Sequence, residues 1–577
     1  MVGGMIAKLS DYIVSPLAMG TRANYECVKA GKTCLCRYAD KWGMPEPFVA
    51  SLLDDARLAA ACRETGVSTT RYTRFEQLAI LAAARALQGT GIRPADSEVL
   101  FILATTKGNV GLAAPGDGHE LLTEAARRVS EWFRNPREPL VVCNACISGM
   151  DAQLEAMRAL ESGCCRYAVV VGADVVSPFI AGGFQSLKAM STECCRPFDE
   201  DRTGLNLGEA ATCIVYGRAE EAGNSASWYL VDGAIRNDAF HVSSPSKTAE
   251  GACRSLRAVL EERDLSGLAF VNAHGTATLF NDEMEAVAID RMGLGAYPVN
   301  GLKGYFGHTL GAAGVLETLI SMEALEDETV LATKGFAKLG VSRWVNISAE
   351  HRKVCGTSFL KMMAGFGGCN AALWFSRGGT EIPTQPLKPP APGHITHTVR
   401  LTEREVLVDG RQLRTEGQGM DMLKALYRTH VGDYPKFYKM DPLCRLGFLA
   451  SELLLQAEAE TEGLPRFTER EDRAVVLVGR SASVCADRAY QETIRSAEEF
   501  FPSPAAFIYT LPNIVTGEIA MRNHYHGETT YLLQETPADV RRLLTQVLRA
   551  PGTHSVLGGW IDIANTDTFS ANMYIIN

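Results

Sequence analysis

The chain lacks the features that mark membrane proteins, nucleic-acid binders and nucleotide-binding enzymes. No apolar run reaches the roughly 18 residues of a membrane span, and positions 1 to 10 lack the basic region and apolar core of a secretion signal. The net charge of −10 argues against a general nucleic-acid binder, which needs a large basic surface. No glycine-rich phosphate loop opens a helix after a predicted strand. We therefore expect a soluble, cytoplasmic protein without a membrane span and without a nucleic-acid partner.

Paired zinc knuckles are also missing, although the chain contains 16 cysteines. Closely spaced cysteines fall on apparent strands, helix ends and loops, at Cys34/Cys36, Cys143/Cys146, Cys164/Cys165 and Cys194/Cys195. We interpret most of them as reduced, buried thiols and predict no metal site. With 577 residues, 46% of them hydrophobic and 21% charged, the chain is long enough for several α/β half-domains.

One cysteine stands where a strand turns into a helix. The apolar run 140–142 predicts a short strand, and apolar residues from Met150 to Leu160 recur at helical spacing. Cys146 lies between the two. A helix start favours a thiolate, so we expect a Cys146 pKa below the value of about 8.5 for a free thiol. A lone cysteine is more often a small buried hydrophobe, and the nucleophile interpretation therefore needs further motifs.

Three further motifs supply that support. His274 and Gly275 follow the apolar run 268–271, which places a histidine at the end of a strand. His308 closes the segment 303–308 and precedes a stretch rich in glycine and alanine. The loop 365–368 reads Gly-Phe-Gly-Gly, and its small side chains let backbone amides approach a ligand closely.

Together these motifs resemble the elongating β-ketoacyl synthases of fatty acid and polyketide synthesis, which belong to the thiolase superfamily. The segment 196–199, with Arg202, Gly204 and the run 208–210, resembles that family in order and position as well. The resemblance covers roughly residues 10 to 376. It implies an α/β, thiolase-like fold of two α/β/α halves with the active site between them. It also implies an acyltransferase that extends a fatty acid, polyene or polyketide chain.

The resemblance assigns roles to individual residues. Cys146 would hold the acyl group as a thioester, and His274 and His308 would each offer an Nε2–H to the oxygen of a decarboxylating malonyl thioester. Lys303 would act as a supporting charge. We expect it to form an ion pair with Glu285 that holds the histidine loop in place.

Further residues would bind the substrate. The backbone amides of Cys146 and Phe366 would form the oxyanion hole of the acyl-cysteine, and the Phe366 ring would control access to the acyl pocket. Thr276 and Thr278 would bind the phosphopantetheine arm of acyl carrier protein, the expected partner. No cofactor of the enzyme's own is implied, because the acyl and malonyl groups arrive on the phosphopantetheine of that carrier.

The set of one cysteine and two histidines separates related branches of the superfamily. Thiolases use a second cysteine as base, and initiating synthases have an asparagine in place of one histidine. The set in this chain favours elongation. A different class of function stays open, in which a catalytically inert synthase fold acts as a scaffold or partner subunit for another enzyme.

The domain organisation follows from composition and from a repeat. We predict an N-terminal half over 1–220, a C-terminal half over 228–376 and a proline-rich linker over 377–393. Residues 394–577 then repeat the pattern of the N-terminal half and form a third, truncated half. An offset of 388, taken by laying Leu548 over Leu160, puts Gln534 opposite Cys146, or Glu535 after a one-residue slip.

The third half therefore lacks a nucleophile. It resembles small synthase-like proteins of aryl-polyene and flexirubin clusters, fused here to the ketosynthase. We interpret His524 and His526 as structural, because no cysteine accompanies them. The third half is expected to imitate a dimer partner or to act like a chain-length factor, so the protein would be a homodimer or an intrachain pseudo-dimer. A module that only recruits pathway enzymes is the alternative.

Overall fold

The computed structural model describes residues 5–111, 120–222, 227–378, 393–463, 465–495 and 498–577. Its strands are β1 (Ile6–Val14), β2 (Cys36–Tyr38), β3 (Phe48–Ser51), β4 (Val99–Ala104), β5 (Leu140–Val142), β6 (Tyr167–Asp174), β7 (Leu207–Gly208), β8 (Ala210–Arg218), β9 (Trp228–Asn237), β10 (Leu268–Asn272), β11 (Val299–Asn300), β12 (Thr329–Val330), β13 (Arg352–Lys353), β14 (Ser358–Gly365), β15 (Cys369–Arg377), β16 (Ile395–Thr402), β17 (Val406–Val408), β18 (Arg411–Gln412), β19 (Arg473–Gly479), β20 (Thr529–Leu533), β21 (Ser555–Asn565) and β22 (Thr568–Ile576).

The helices are α1 (Thr21–Lys29), α2 (Asp55–Thr65), α3 (Arg74–Leu87), α4 (Leu122–Trp132), α5 (Ser148–Glu161), α6 (Pro178–Ser186), α7 (Ala219–Ala222), α8 (Glu250–Leu260), α9 (Leu279–Arg291), α10 (Lys303–Phe306), α11 (Ala313–Glu326), α12 (Gly419–His430), α13 (Pro442–Glu462), α14 (Val484–Gln491), α15 (Pro504–Tyr509), α16 (Ile514–Asn523) and α17 (Val540–Leu548). Short 3-10 helices cover Lys41–Gly43, Ala145–Ile147, Leu310–Ala312, Pro435–Lys439 and Pro537–Asp539. No helix in the described ranges is long and apolar enough to cross a membrane.

Three five-stranded sheets repeat one topology. The N-terminal half has the order β5-β4-β6-β8-β1. The C-terminal half has the order β11-β10-β14-β15-β9, and the third half has β20-β19-β21-β22-β16. In each sheet the strand that comes third along the chain lies at one edge and the first at the other, with parallel pairing at the former edge and antiparallel pairing at the latter. This repeat confirms the predicted α/β fold of two thiolase-like halves and a third half of the same kind.

The three sheets join edge to edge. β1 pairs with β9 antiparallel, which links the first strands of the N- and C-terminal halves. At the opposite edge of the N-terminal half, β5 pairs with β20 antiparallel, with Val142 opposite Leu532 and Val141 opposite Leu533. The third half thus continues the sheet of the N-terminal half. A single apolar cluster contains buried side chains from both, including Phe75 and Leu446.

Polar contacts also bind the third half to the first. The guanidinium of Arg158 donates to both carboxylate oxygens of Glu528, at 2.8 and 2.6 Å, and both residues are buried. The side-chain amide of Asn144 donates to the carbonyl of Thr529 at 2.9 Å. Because charged groups buried at a contact must be paired, these interactions fix the position of the third half.

The structure corrects the predicted register of the third half. The 3-10 helix Pro537–Asp539 precedes α17 just as Ala145–Ile147 precedes α5, which puts Ala538 opposite Cys146. Gln534 directly follows β20 instead. The offset of 388 fails because α17 has nine residues and α5 has fourteen, so an alignment at the helix ends is displaced at the helix starts. The conclusion that no nucleophile stands there is unchanged.

The domain boundaries stay predictions. β15 ends at Arg377 and β16 begins at Ile395, while most of the predicted linker, 379–392, lies outside the described residues. Between the N- and C-terminal halves, α7 ends at Ala222 and β9 begins at Trp228.

Candidate active site

Cys146 lies at the predicted strand-to-helix junction. β5 ends at Val142, the 3-10 helix Ala145–Ile147 follows, and α5 begins at Ser148. Ala145 has a φ of 48°, an unusual value for a residue with a side chain. α5 is buried on all sides, beyond the single apolar face that its sequence predicts, because α11 packs against it.

The start of α11 brings the second motif to the first. A β-carbon added to Gly149 would lie 2.7 Å from the carbonyl oxygen of Gly311, and one added to Gly314 would lie 2.6 Å from the Met150 nitrogen. Only glycine permits this approach of the two helix starts. His308 precedes α11 and Cys146 precedes α5, so the contact places both side chains in one cavity.

The cysteine and the two histidines form a compact group. The Nε2 of His308 lies 3.0 Å from the Cys146 sulfur. The ring centroids of His274 and His308 are 5.0 Å apart, and their planes are nearly perpendicular. One ligand atom from each of the three residues lies within 4.8 Å of the others. The structure therefore brings together the three residues predicted as the catalytic set.

Contacts at Nδ1 determine where the imidazole protons lie. The Leu310 amide donates to the Nδ1 of His308 at 3.3 Å. The ammonium of Lys303 lies 3.3 Å from the Nδ1 of His274, and an ammonium can only donate. Burial, with a contribution from Lys303, holds the pKa of both histidines well below 6.5, so both are neutral. Each therefore carries its proton on Nε2, facing the cavity.

The same tautomers bear on metal binding. The sulfur and the two imidazoles lie close enough to supply three ligands. A metal ion would need the lone pair of each Nε2, however, and those atoms carry the protons. Coordination would require both rings to give up their present hydrogen bonds at Nδ1.

Lys303 has a different partner from the one predicted. Its ammonium contacts a carboxylate oxygen of Glu317, and Lys361 lies 2.7 Å from the other oxygen. Burial would raise the pKa of Glu317, but the two ammonium groups lower it. For Lys361, burial and then the charge of Lys303 outweigh Glu317 and lower the pKa to about 8. The predicted Lys303–Glu285 pair is therefore wrong: Glu317 bridges two lysines instead.

Glu285 holds the histidine loop through the backbone. Its carboxylate accepts from the amides of His274, at 2.7 Å, and Gly275, at 2.8 Å, and from the side chain of Asn281, at 2.9 Å. Burial, followed by the charge of Asp282, raises its pKa to about 7. Glu285 thus contacts the histidine loop directly, without the predicted pairing to Lys303.

The predicted sign of the Cys146 pKa shift is wrong. Burial raises the pKa to about 12, and the charge of Lys303 opposes the shift only in part. In the low-dielectric cavity the cost of desolvating a thiolate exceeds the benefit of the helix start. At neutral pH the resting enzyme therefore holds a thiol, with the Nε2–H of His308 positioned to stabilise the thiolate when it forms.

A cavity of about 320 Å³ leads from the surface to Cys146. Its lining includes both histidines, Thr276, Thr278 and Phe366. The hydroxyls of Thr276 and Thr278 are 2.9 Å apart and hydrogen bonded to each other. The structure thus places the predicted substrate-binding residues along one route to the sulfur.

A second, much smaller cavity of about 20 Å³ lies on the inner side of Cys146. Phe366 lines both cavities, and its ring stacks on Phe184 with centroids 6.2 Å apart. Two inner-wall residues, Phe507 and Leu511, belong to the third half. We define residues 365–368 as the gate loop, because Phe366 within it lines both the outer and the inner cavity.

Sequence reasoning missed several residues of this site. Glu317 and Lys361 were detectable as charges within otherwise apolar segments of α11 and β14. Phe507 and Asn513 carried no local signal, because they reach the site only through docking of the third half. His526 lies at the same contact, where its Nδ1 is 3.0 Å from the Asn237 carbonyl oxygen, while His524 caps α16 in a left-handed conformation. Neither histidine approaches the cysteine, as predicted.

Comparisons with known proteins agree with this geometry. Residues 50–222 match the model of the beta-ketoacyl synthase N-terminal domain, and residues 229–337 match that of the C-terminal domain. The 3-oxoacyl-[acyl-carrier-protein] synthase 2 of Vibrio cholerae is 30% identical over 343 residues, covering 52% of this chain and 82% of the relative. The chain belongs to the β-ketoacyl synthase family. A synthase 2 of Coxiella burnetii is 28% identical over 406 residues, covering 63% of this chain and 96% of the relative.

Solved synthase structures share the fold. The match to a β-ketoacyl synthase from Burkholderia phymatum covers 65% of this chain and 99% of the synthase chain, with 24% identity and a TM-score of 0.58. The match to the PfaC keto synthase–chain length factor covers 100% of this chain and 78% of the PfaC chain, with 14% identity and a TM-score of 0.77. The latter likeness extends over all three halves of this ketosynthase.

Proposed function

We propose that this chain is an elongating β-ketoacyl-[acyl carrier protein] synthase that joins an acyl group on Cys146 to a malonyl unit with loss of carbon dioxide. The observation that carries the proposal is the convergence of the Cys146 sulfur and two neutral imidazoles in one cavity. Two Nε2–H donors directed at one point suit an oxygen on which negative charge develops.

In the first half-reaction Cys146 takes the acyl group. The Cys146 thiolate attacks the carbonyl of the acyl thioester and forms a new C–S bond. The C–S bond to phosphopantetheine breaks, and the leaving thiolate takes up the proton that the Cys146 thiol gave up. The resting pKa of Cys146 is about 12, so the thiolate forms only during the reaction. The Nε2–H of His308 and the charge of Lys303 then stabilise it. The backbone amides of Cys146 and Phe366 are proposed to hold the tetrahedral oxyanion.

In the second half-reaction malonyl thioester loses carbon dioxide and becomes an enolate. His274 and His308 donate to the enolate oxygen from Nε2. The enolate carbon attacks the acyl-cysteine carbonyl, a C–C bond forms and the C–S bond to Cys146 breaks. The released thiolate then takes one proton, which balances the carboxylate charge lost with carbon dioxide. Lys303 holds the Nδ1 of His274 and thereby its tautomer.

Acyl carrier protein is the proposed partner, and its phosphopantetheine arm is proposed to pass Thr276 and Thr278 in the outer cavity. A solved structure of a type II acyl-carrier protein in complex with its ketosynthase shares the fold, with a TM-score of 0.55 and 20% identity. Both threonines line the cavity that contains Cys146, which supports this placement of the arm.

We further propose that the third half acts as a built-in partner of the chain-length-factor type. It occupies the β5 edge of the N-terminal half and contributes Phe507 and Leu511 to the inner cavity. A pair of two-half synthases has four halves, and this chain has three. That proportion agrees with the 78% of the keto synthase–chain length factor that the match covers. The protein would thus be a pseudo-dimer within one chain.

The test of the proposed function is acylation of the intact chain. Incubation with an acyl-carrier thioester should add one acyl mass at Cys146, and Cys146→Ala should abolish the addition. Cys146→Gln, which imitates the acylated state, should still release carbon dioxide from malonyl carrier protein. A wild-type chain that gains no acyl mass would support the scaffold alternative instead.

A further inference from the structure

The gate loop is held from two sides. On the side of the C-terminal half, the Gly367 amide donates to the Val242 carbonyl at 2.7 Å, and the Asn237 side chain donates to the Gly367 carbonyl at 2.8 Å. On the other side, the Asn513 amide group donates to the Phe366 carbonyl at 2.7 Å. Asn513 belongs to the third half and is almost fully buried.

The fit between Asn513 and the loop leaves no spare room. A β-carbon added to Gly367 would lie 2.6 Å from the Nδ2 of Asn513. One added to Gly517, in the following helix α16, would lie 2.5 Å from the Gly367 carbonyl oxygen. Glycine on both sides thus permits direct contact between the gate loop and the start of α16.

The Asn513 side chain has one polar atom engaged and one free. Nδ2 binds the Phe366 carbonyl, while Oδ1 is buried and has no hydrogen-bond partner in the part of the chain that the structure describes. Turning the amide over would set two oxygens against each other, so the carbonyl of Phe366 fixes the orientation. The Phe366 carbonyl therefore requires a hydrogen-bond donor at the position of Nδ2.

We infer that Asn513 is a positioning residue that restrains the gate loop in its closed arrangement from the third half. This inference rests on the proposed function. The Phe366 ring stands between the outer cavity and an inner cavity of about 20 Å³, so any acyl group longer than a few atoms must displace it. Displacement of the ring pulls the Phe366 carbonyl away from Asn513 and breaks the hydrogen bond. The free energy of breaking it therefore slows acylation by long acyl groups and not by short ones.

The experiment compares acylation of Cys146 by acetyl and hexanoyl carrier thioesters, followed by mass spectrometry of the intact full-length chain. For Asn513→Ala we expect the hexanoyl-to-acetyl rate ratio to rise about five-fold, because a typical hydrogen bond restrains opening by about that factor. Asn513→Asp keeps the size of the side chain but removes the donor, and should raise the ratio in the same way. A variant that merely lowers the folded fraction would slow both thioesters equally.

Gln546→Ala is the matched control. Its amide also donates from the third half to the first, to the Ser162 hydroxyl at 2.7 Å, but away from the gate loop. Its ratio should equal that of the wild type. The inference is overturned if both Asn513 variants keep the wild-type ratio, or if Ala raises it while Asp does not, since packing alone would then explain the change. Failure of the proposed function is distinct, because the wild type would then accept neither thioester.

Discussion

At the scale of single residues, buried charged side chains control the protonation states of the neutral groups in the site. Glu317 holds two lysines whose positive charges favour the neutral state of both histidines. The charge of Lys303 also opposes the effect of burial on the pKa of Cys146. The site thereby presents two N–H donors and a protonated thiol at rest.

The raised pKa of Cys146 predicts its reactivity with pH. Because the pKa is about 12, the thiolate fraction should rise about ten-fold per pH unit between roughly pH 7 and pH 9, and the rate of alkylation by iodoacetamide should follow it. Lys303→Met should slow alkylation at pH 8, since the charge that favours the thiolate is gone. Lys338→Met, at the surface beside Glu200, should not. A rate that levels off below pH 8 would contradict the prediction.

Phe507 is expected to limit the length of the product. It lies in the wall of the inner cavity, and its ring packs edge-on against Phe184 with centroids 5.5 Å apart. Phe507→Leu keeps the wall apolar but shortens it, so the condensed chains should gain at least one extension unit in mass spectra of the products. Phe501→Ala, in the same half but 77% exposed, is the control and should leave the distribution unchanged. An unaltered distribution in Phe507→Leu would place the limit elsewhere.

At the scale of elements, the sequence predicts what is local and misses what docking creates. The junction at Cys146 follows from an apolar run, a turn and helical spacing, all within about twenty residues of the chain. The Glu317 bridge depends on α10, α11 and β14 meeting in three dimensions, and the predicted Lys303–Glu285 pair is wrong because sequence spacing does not show that meeting. The sign of the Cys146 pKa shift was wrong for the same reason, since burial depends on both sheets and not on the helix start alone.

The predicted register between the third half and the N-terminal half is wrong because the helices used for the alignment differ in length. α5 and α17 share a place in the repeated topology, but α17 is five residues shorter, and no insertion in the sequence marks the difference. The surroundings of the two helices also differ. α5 is covered by α11, whereas among the described residues the side of α17 that carries Arg541 is exposed.

The contact between elements β5 and β20 depends on the buried Arg158–Glu528 pair beside it. Glu528→Gln leaves the Arg158 charge with Glu155 alone, at 2.5 Å, and should lower the free energy of unfolding by about 3 kcal/mol in urea titrations. Glu469→Gln is the control. Glu469 also belongs to the third half, where it pairs with Arg254 of the C-terminal half, but it is 60% exposed, so we expect a loss of less than about 1 kcal/mol. Equal effects of the two variants would show that the buried pair has no special part in docking.

At the scale of the whole molecule, three repeats of one half produce one active site. The N- and C-terminal halves meet at β1 and β9 and supply the cysteine and histidines, and the third half closes the opposite edge. Its own free edge at β16 is covered by the short hairpin β17–β18. That hairpin takes the place beside β16 that β9 takes beside β1.

Removal of the third half tests this architecture. Deleting residues 394–577 exposes the β5 edge, the apolar cluster shared with the third half, and the side of Arg158 that pairs with Glu528. An open strand edge beside apolar surface promotes association, so we expect the truncated chain to aggregate on gel filtration while full-length Cys146→Ala stays soluble. Supplying residues 394–577 as a separate polypeptide during expression should restore both solubility and acylation at Cys146. If the truncated chain is instead soluble, is acylated at the wild-type rate and gives products of wild-type length, the third half is neither a partner nor a limit on chain length, and a recruiting module is the better interpretation.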